Sequence, residues 1–317
     1  MDQILLQLRA AADPTRMRIL ALAAACDLCV ADFADVLGQS QPRVSRHLGV
    51  MVEARLLERR RESKNVFFRL APASLAQDLA ARIAATASEP VAADRRAAQR
   101  VMAERAREAT ELFRLQGANW DEMGALGLAQ AQIERAVLQR LPQRVQRLLD
   151  IGTGTGRMLQ VIGARADSML GIDASRAMLA LARTRLAEQP GLRHAAVRLG
   201  DMYRLELPDG HFDAVLMQMV LHYATEPAKA LAEAARVLAP GGRLIVVDLA
   251  RHDDGSLASD GHHWLGFDDA GLERMLPAGE MELEKPSVVR GKLETRIWVA
   301  RRRPVVAGAE AARTVDA

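Results

Sequence analysis

The stretch Leu148-Leu149-Asp150-Ile151-Gly152-Thr153-Gly154-Thr155-Gly156-Arg157 decides the fold of the larger part of this 317-residue chain. An apolar run, an acid and then glycines at alternate positions before a helical pattern describe a buried strand that turns sharply into a helix. Such a turn brings backbone amides within reach of a ligand's polar end. From Arg144 onward the surroundings agree: LLDI (148–151), SMLGID (168–173), AAVRLGD (195–201), DAVLMQM (213–219) and GRLIVVDL (242–249) alternate with amphipathic helical stretches. That alternation specifies a parallel sheet covered on both faces, a doubly wound α/β domain.

A glycine triplet alone says little, and two further acids sharpen it. SMLGID ends in Asp173, 23 residues beyond Asp150, with Ala174 beside it; a carboxylate there can accept both hydroxyls of a ribose. The next strand ends Gly200-Asp201-Met202, where the carboxylate can accept an adenine amino proton and Met202 can pack on the ring. A nicotinamide dinucleotide is the competing ligand. Its pyrophosphate calls for Gly-x-Gly-x-x-Gly, whereas Gly152, Gly154 and Gly156 are evenly spaced and Asp150 lies just ahead of them. A carboxylate there repels a pyrophosphate and suits a phosphate-free nucleoside carrying ammonium and sulfonium charges.

This pattern, with Asp150, Gly152, Thr153, Gly154, Gly156, Asp173, Ala174, Asp201 and Met202 in place, resembles the class I S-adenosylmethionine-dependent methyltransferases from Leu148 to about Arg302. Gln218 and Met219 match that family's fourth motif, which lines the cofactor, and LAEAARVLAPGGRLIVVDL (231–249) is typical of its following helix and strand. The resemblance implies a Rossmann-like, seven-stranded sheet whose last strand, around Glu294 to Ala300, is antiparallel, and S-adenosylmethionine or S-adenosylhomocysteine as ligand. Methyl transfer needs alignment of acceptor and donor rather than a protein nucleophile. His222, Tyr223, Asp248, His262 and His263 lie on segments expected near the strand ends and are the candidate catalytic groups; polar residues of a loop facing solvent are the plainer account of the adjacent histidines. With no cysteine after Cys29, a cysteine-dependent arsenic methyltransferase is disfavoured.

Toward the N-terminus the pattern changes to short helices with cap and stop signals. Asp13-Pro14 starts one helix, Asp32 to Leu37 is another closed by Gly38, and Ser40 opens a further one with Pro42 in its tolerant first turn. In Ser40-Gln41-Pro42-Arg43-Val44-Ser45-Arg46-His47-Leu48, the residues Val44, Leu48 and Met51 fall on one face. Gln41, Arg43, Ser45, Arg46 and His47 are left outward, suited to base edges and phosphates. ERRRESKNVFFRL (58–70) follows as a hairpin about Ser63-Lys64-Asn65, placing Arg60, Arg61 and Lys64 toward a DNA backbone. Residues 40–70 hold eight basic side chains against three acidic ones, although the whole chain carries only +3.

ADPTRMRIL (12–20) together with SQPRVSRHLGVMVEARLLERRRESKNVFFRL (40–70) resembles the ArsR/SmtB family of winged-helix repressors over about residues 5–87. That resemblance implies a homodimer, paired through the first and last helices of the module, on a two-fold double-stranded operator. The family's thiol metal sensors carry two cysteines one residue apart; here Cys29 is kept and the second position is Ala31. Cys26 could supply a second thiolate as Cys-x-x-Cys, but two small, partly buried hydrophobes are the preferred reading, so metal sensing is not expected.

The expected organisation is a winged helix-turn-helix DNA-binding and dimerisation domain at 1–90, a long helical linker with the first helices of the next domain at 91–142, a methyltransferase domain at 143–303 and a disordered tail at 304–317. Half the residues are hydrophobic, enough for two cores, and no apolar run or leader pattern suggests a membrane, so a cytoplasmic protein is expected. The fusion, with Trp120-Asp121 before the second domain and Trp264-Leu265-Gly266-Phe267 after its fifth strand, looks like a known group of ArsR-type regulators with a C-terminal methyltransferase domain. Two functions stay open: a regulator that senses the donor or its product, and a small-molecule methyltransferase with an autoregulatory DNA-binding domain.

Overall fold

The computed structural model describes residues 2–62, 65–71, 75–86, 89–115, 127–253 and 262–304. Lys64 and the hairpin tip, Trp120-Asp121, and residues 305–317 of the expected tail lie outside the described residues, as do the side chains of Arg60 and Arg61. The chain divides into two compact units, Met1–Leu115 with Arg176–Leu199, and Gln116–Ser175 with Gly200–Ala317.

In the first unit, α1 (Asp2–Ala11) precedes α2 (Pro14–Ala23), whose start is fixed by Asp13 Oδ1 accepting the Arg16 amide at 3.0 Å. A two-residue strand, β1 (Leu28–Cys29), leads into α3 (Val30–Leu37), ended by Gly38 in the left-handed region at φ 64°. Next comes α4 (Gln41–Glu53), with Val44, Leu48 and Met51 fully buried at the spacing that lines one helix face. Ser40 occupies the N-cap position, but its side chain makes no capping bond. The wing is β2 (Leu57–Glu62) paired antiparallel with β3 (Asn65–Leu70), and β1 adds on the other side through Leu28 opposite Phe68. Phe68 meets Phe33 edge to face, with centroids 6.4 Å apart.

The first unit also holds α5 (Leu75–Ala85) and the long α6 (Glu89–Leu115). In the stretch expected as a linker, α6 buries Val91, Ala98 and Met102 in the core of this unit. Its Asp94 is 3% exposed and takes both donors of Arg18 on α2, at 2.6 and 2.5 Å. A bidentate pair of this kind offsets the cost of burying the carboxylate.

The remaining chain opens with α7 (Gln130–Arg140), then β4 (Val145–Ile151), α8 (Arg157–Ile162) and β5 (Ala166–Asp173). Next are α9 (Arg176–Ala187) and β6 (Ala195–Leu199), which belong to the first unit, and then β7 (Phe212–Gln218), α10 (Pro227–Val237) and β8 (Leu238–Leu249). The chain continues with α11 (Asp269–Met275), β9 (Met281–Leu283), β10 (Ser287–Val289) and β11 (Thr295–Arg302). Seven described strands fall in the second unit, in the order β10-β11-β8-β7-β4-β5 with β9 on the edge of β11. Strands β5, β4, β7 and β8 are parallel and β11 is antiparallel to β8. Leu148, Leu149, Val215, Ile245 and Trp298 are fully buried, as strands covered on both faces require.

Because β4 has β5 on one side and β7 on the other, its carboxyl end is where the strand order reverses. Open α/β sheets bind ligands at that position, and the glycine turn begins there.

Candidate functional site

The site is built on that turn. Gly152, Gly154 and Gly156 all adopt positive φ, at 72°, 53° and 72°. Two of them face different surroundings. A Cβ on Gly152 would lie 2.4 Å from Val220 Cγ2, so the turn packs tightly on the segment after β7, whereas one on Gly154 would meet nothing within 4 Å. Gly154 therefore presents bare backbone to open space, as a ligand cradle needs.

Asp173, at the end of β5, accepts the Gly154 amide on Oδ2 at 2.8 Å and the Ser175 amide on Oδ1 at 2.7 Å. Each oxygen keeps a lone pair for a further donor. Burial pushes the Asp173 carboxyl up from its ordinary value, and the two amides oppose that shift. Asp150 is 2% exposed and accepts the Thr153 hydroxyl at 2.6 Å. Burial moves its pKa up to about 7, the Thr153 bond opposing and the Asp173 charge reinforcing the shift. Two carboxyls thus flank the glycine turn, and a cation placed beside Asp150 would favour its ionised form.

The other expected residues are placed as follows. Ala174 is exposed beside Asp173. The Gly200 amide donates to the Asp173 carbonyl at 3.0 Å, which sets Asp201 and Met202 next to the end of β5. Asp201 is exposed and accepts the Tyr203 amide at 2.9 Å. Gln218 ends β7 with Oε1 buried and without a hydrogen-bond partner among the described residues. Met219 is held at φ 52°, its amide donating to the Val247 carbonyl at 2.8 Å; a non-glycine residue there is strained. Ser175, Tyr203 and Val220 also shape the site, the first two through their amides to Asp173 and Asp201 and Val220 through a methyl against Gly152, contacts that carry no motif.

Four of the five candidate catalytic groups come together. His222 Nδ1 lies 2.7 Å from Asp248 Oδ1, with both side chains fully buried. Asp248 also accepts the amides of Leu221 at 3.0 Å, His222 at 3.3 Å and Leu249 at 2.8 Å. The His222 ring packs at 4.2 Å from Tyr223 and 4.3 Å from His262, centroid to centroid. His263 is exposed and joins only through its amide, which donates to the His222 carbonyl at 2.9 Å. Val220, which touches Gly152, is two residues from His222, so this cluster borders the glycine turn.

In the first unit, Gln41, Arg43, Ser45 and Arg46 are exposed along one face of α4. Arg46 Nε donates to the Pro42 carbonyl at 3.4 Å, lying along its own helix. His47 is half-buried, 3.8 Å from Asp13, so it is drawn toward the α2 cap. In α1 the usual polarity is reversed: Gln3 and Gln7 turn inward to the carbonyls of Ala54 and Arg55, at 3.0 and 3.3 Å. Ile4, Leu5, Leu6 and Leu8 stay exposed.

Comparison with known proteins agrees with both halves. Residues 13–59 match the bacterial regulatory protein arsR family, and residues 149–246 match a methyltransferase domain family. A demethylmenaquinone methyltransferase of Thermus thermophilus is 41% identical over 116 residues, 36% of this chain and 52% of that protein. An arsenite methyltransferase of Aquipseudomonas alcaligenes is 36% identical over 113 residues, 32% of each. The chain thus spans about half or less of the curated relatives it matches. A chain from a complex between a Haloferax volcanii methyltransferase activator and a methyltransferase shares the fold, with TM-score 0.51 and 17% identity over 60% of this chain and 96% of that one.

Proposed function

We propose that this chain, which joins an arsR-family helix-turn-helix segment to a methyltransferase domain, is a DNA-binding transcriptional regulator, a repressor, that holds S-adenosylmethionine or S-adenosylhomocysteine and responds to it. The observation that carries the reading is the cradle at the end of β4, where the open face of Gly154 lies beside an Asp173 carboxylate fixed by two amides. The donor set fits the ligand. Asp150 would take the ammonium, Asp173 the ribose hydroxyls and Asp201 the adenine amino group with Met202 against the ring, while Gln218 Oε1 offers a buried acceptor that none of the described residues uses. When bound, S-adenosylmethionine supplies a sulfonium, a leaving group that needs no further activation.

The exposed side chains of α4 would read base edges and phosphates in a major groove. One helix covers only a few base pairs, so a homodimer on a two-fold site supplies the specificity, and the outward apolar face of α1 supports pairing there. The domain boundaries expected near residues 90, 142 and 303 belong to this reading.

The test is a titration of labelled duplex, selected from a random pool by the protein itself, with S-adenosylmethionine, with S-adenosylhomocysteine and with neither. A sensor gives different affinities, because a ligand shifts DNA binding only as far as it prefers one state. Equal affinity in all three overturns the sensing role.

A second reading, a working small-molecule methyltransferase with an autoregulatory DNA-binding domain, is favoured by the His222–Asp248 pair. Asp248, which also accepts three backbone amides, holds the His222 ring by Nδ1 beside the glycine turn, the arrangement of a carboxylate that orients an imidazole for proton transfer. The two relatives named above are called after a quinone and an arsenic oxyanion, so the shared segment supports donor binding and leaves the acceptor open. Labelled methyl transferred to a metabolite extract, and lost in His222→Gln with S-adenosylhomocysteine affinity intact, supports this reading; no transfer despite tight donor binding counts against it.

A further inference from the structure

The first unit contains a cavity of about 800 Å³ whose walls come from the turn after α2, the wing strand β3, and α5, α6, α9 and β6. This is within the range of small-molecule sites. Its walls are cross-braced. Thr184 Oγ1 on α9 donates to the Met102 carbonyl on α6 at 3.2 Å, and the Arg183 guanidinium sits 4.1 Å over the Phe67 ring of β3.

The lining has two characters. Ala98, Met102, Leu192 and Val197 are buried apolar groups. Burial pushes the Cys26 thiol up to about 12, so it stays protonated and contributes an apolar wall rather than a soft-metal ligand. Charged groups are unbalanced: Arg69, Arg95, Arg183 and Arg193 against Asp27 and Glu188. Arg69 and Arg95 are half-buried and have no ion-pair partner among the described residues. Guanidinium groups beside an apolar chamber fit an anionic head on an apolar body.

We propose that this cavity is a second ligand site, distinct from the donor cradle, that takes an organic carboxylate with an apolar body. Binding stands independently of the reading above; its consequence as an effector rests on that reading. The turn Ala24–Asp27 leads directly into β1 and α3, and Arg69 and Leu70 belong to the wing, so an occupant touches the segments that carry the DNA-reading elements. The stretch Arg176–Leu199 lies inside the matched methyltransferase segment yet forms a wall of this cavity.

The experiment uses the full chain and 8-anilinonaphthalene-1-sulfonate, an apolar anion that fluoresces when buried. The expected result is one saturable site per chain, displaced by decanoate, at least tenfold weaker in Arg95→Glu and in Ala103→Trp, which places an indole on the cavity wall. Circular dichroism of both variants should match the parent. Unchanged affinity in the two variants, displacement by decanol as effective as by decanoate, or displacement by saturating S-adenosylhomocysteine each overturns the proposal. Loss of donor binding in a parent chain that still shows this pattern would strike the cradle and leave the cavity standing.

Discussion

At the scale of single residues, Asp150 and the glycines after it make the sharpest claims. The folded chain holds a proton on Asp150 up to about pH 7, whereas an unfolded aspartate gives it up near about pH 4. Ligand-free stability therefore falls as pH rises between those values. Donor binding has the opposite sign, because an ammonium needs the ionised form. S-adenosylhomocysteine affinity, followed by calorimetry, should rise roughly tenfold from pH 5.5 to 7, the gain expected from ionising a group of this pKa; Asp150→Asn should bind weakly with a flat profile. A wild-type profile as flat as the variant's would show that Asp150 does not meet the ammonium. The glycines separate stability from binding. Gly152→Ala combines positive φ with a clash against Val220 and should cost about 2 kcal/mol or more of stability. Gly154→Ala has room, so it should cost only about 1 kcal/mol, yet its methyl enters the cradle and should weaken donor binding. Thermal melts with and without ligand distinguish the two.

At the scale of elements, helix α4 tests the DNA face. Arg46→Ala should weaken operator binding roughly tenfold and lower the salt slope by about one, measured by anisotropy across ionic strengths. An unchanged slope would remove Arg46 from the phosphate contacts. Elements with a local signal were legible in the sequence. Val44, Leu48 and Met51 announce the buried face of α4, Asp13 the start of α2, and the alternate glycines the turn after β4. Elements whose cause is distant were not. Strand β1 is two residues long and exists because Phe67 and Phe68 offer it an edge. The burial of α6 depends on small alanine surfaces and on Arg18, 76 residues before Asp94. His222 and Asp248 are 26 residues apart and meet because parallel β7 and β8 place Gln218 opposite Val247. No residue spacing encodes that register.

At the scale of the whole molecule, two sites of different chemistry share one chain. The apolar outer face of α1 is the expected seam of a homodimer; Leu5→Glu with Leu8→Glu should shift the mass in sedimentation to the monomer and weaken operator binding while leaving donor affinity unchanged. A parent chain that is already monomeric at micromolar concentration would remove the seam. If DNA reading and donor binding reside in separable sites, two substitutions tested in two titrations separate them directly. Asp173→Ala should lower S-adenosylhomocysteine affinity at least tenfold and leave binding of the ligand-free protein to its selected duplex intact, while Arg46→Ala should do the reverse. Absence of saturable S-adenosylhomocysteine binding to the parent chain, or loss of both activities in either variant with its fold preserved, would contradict it.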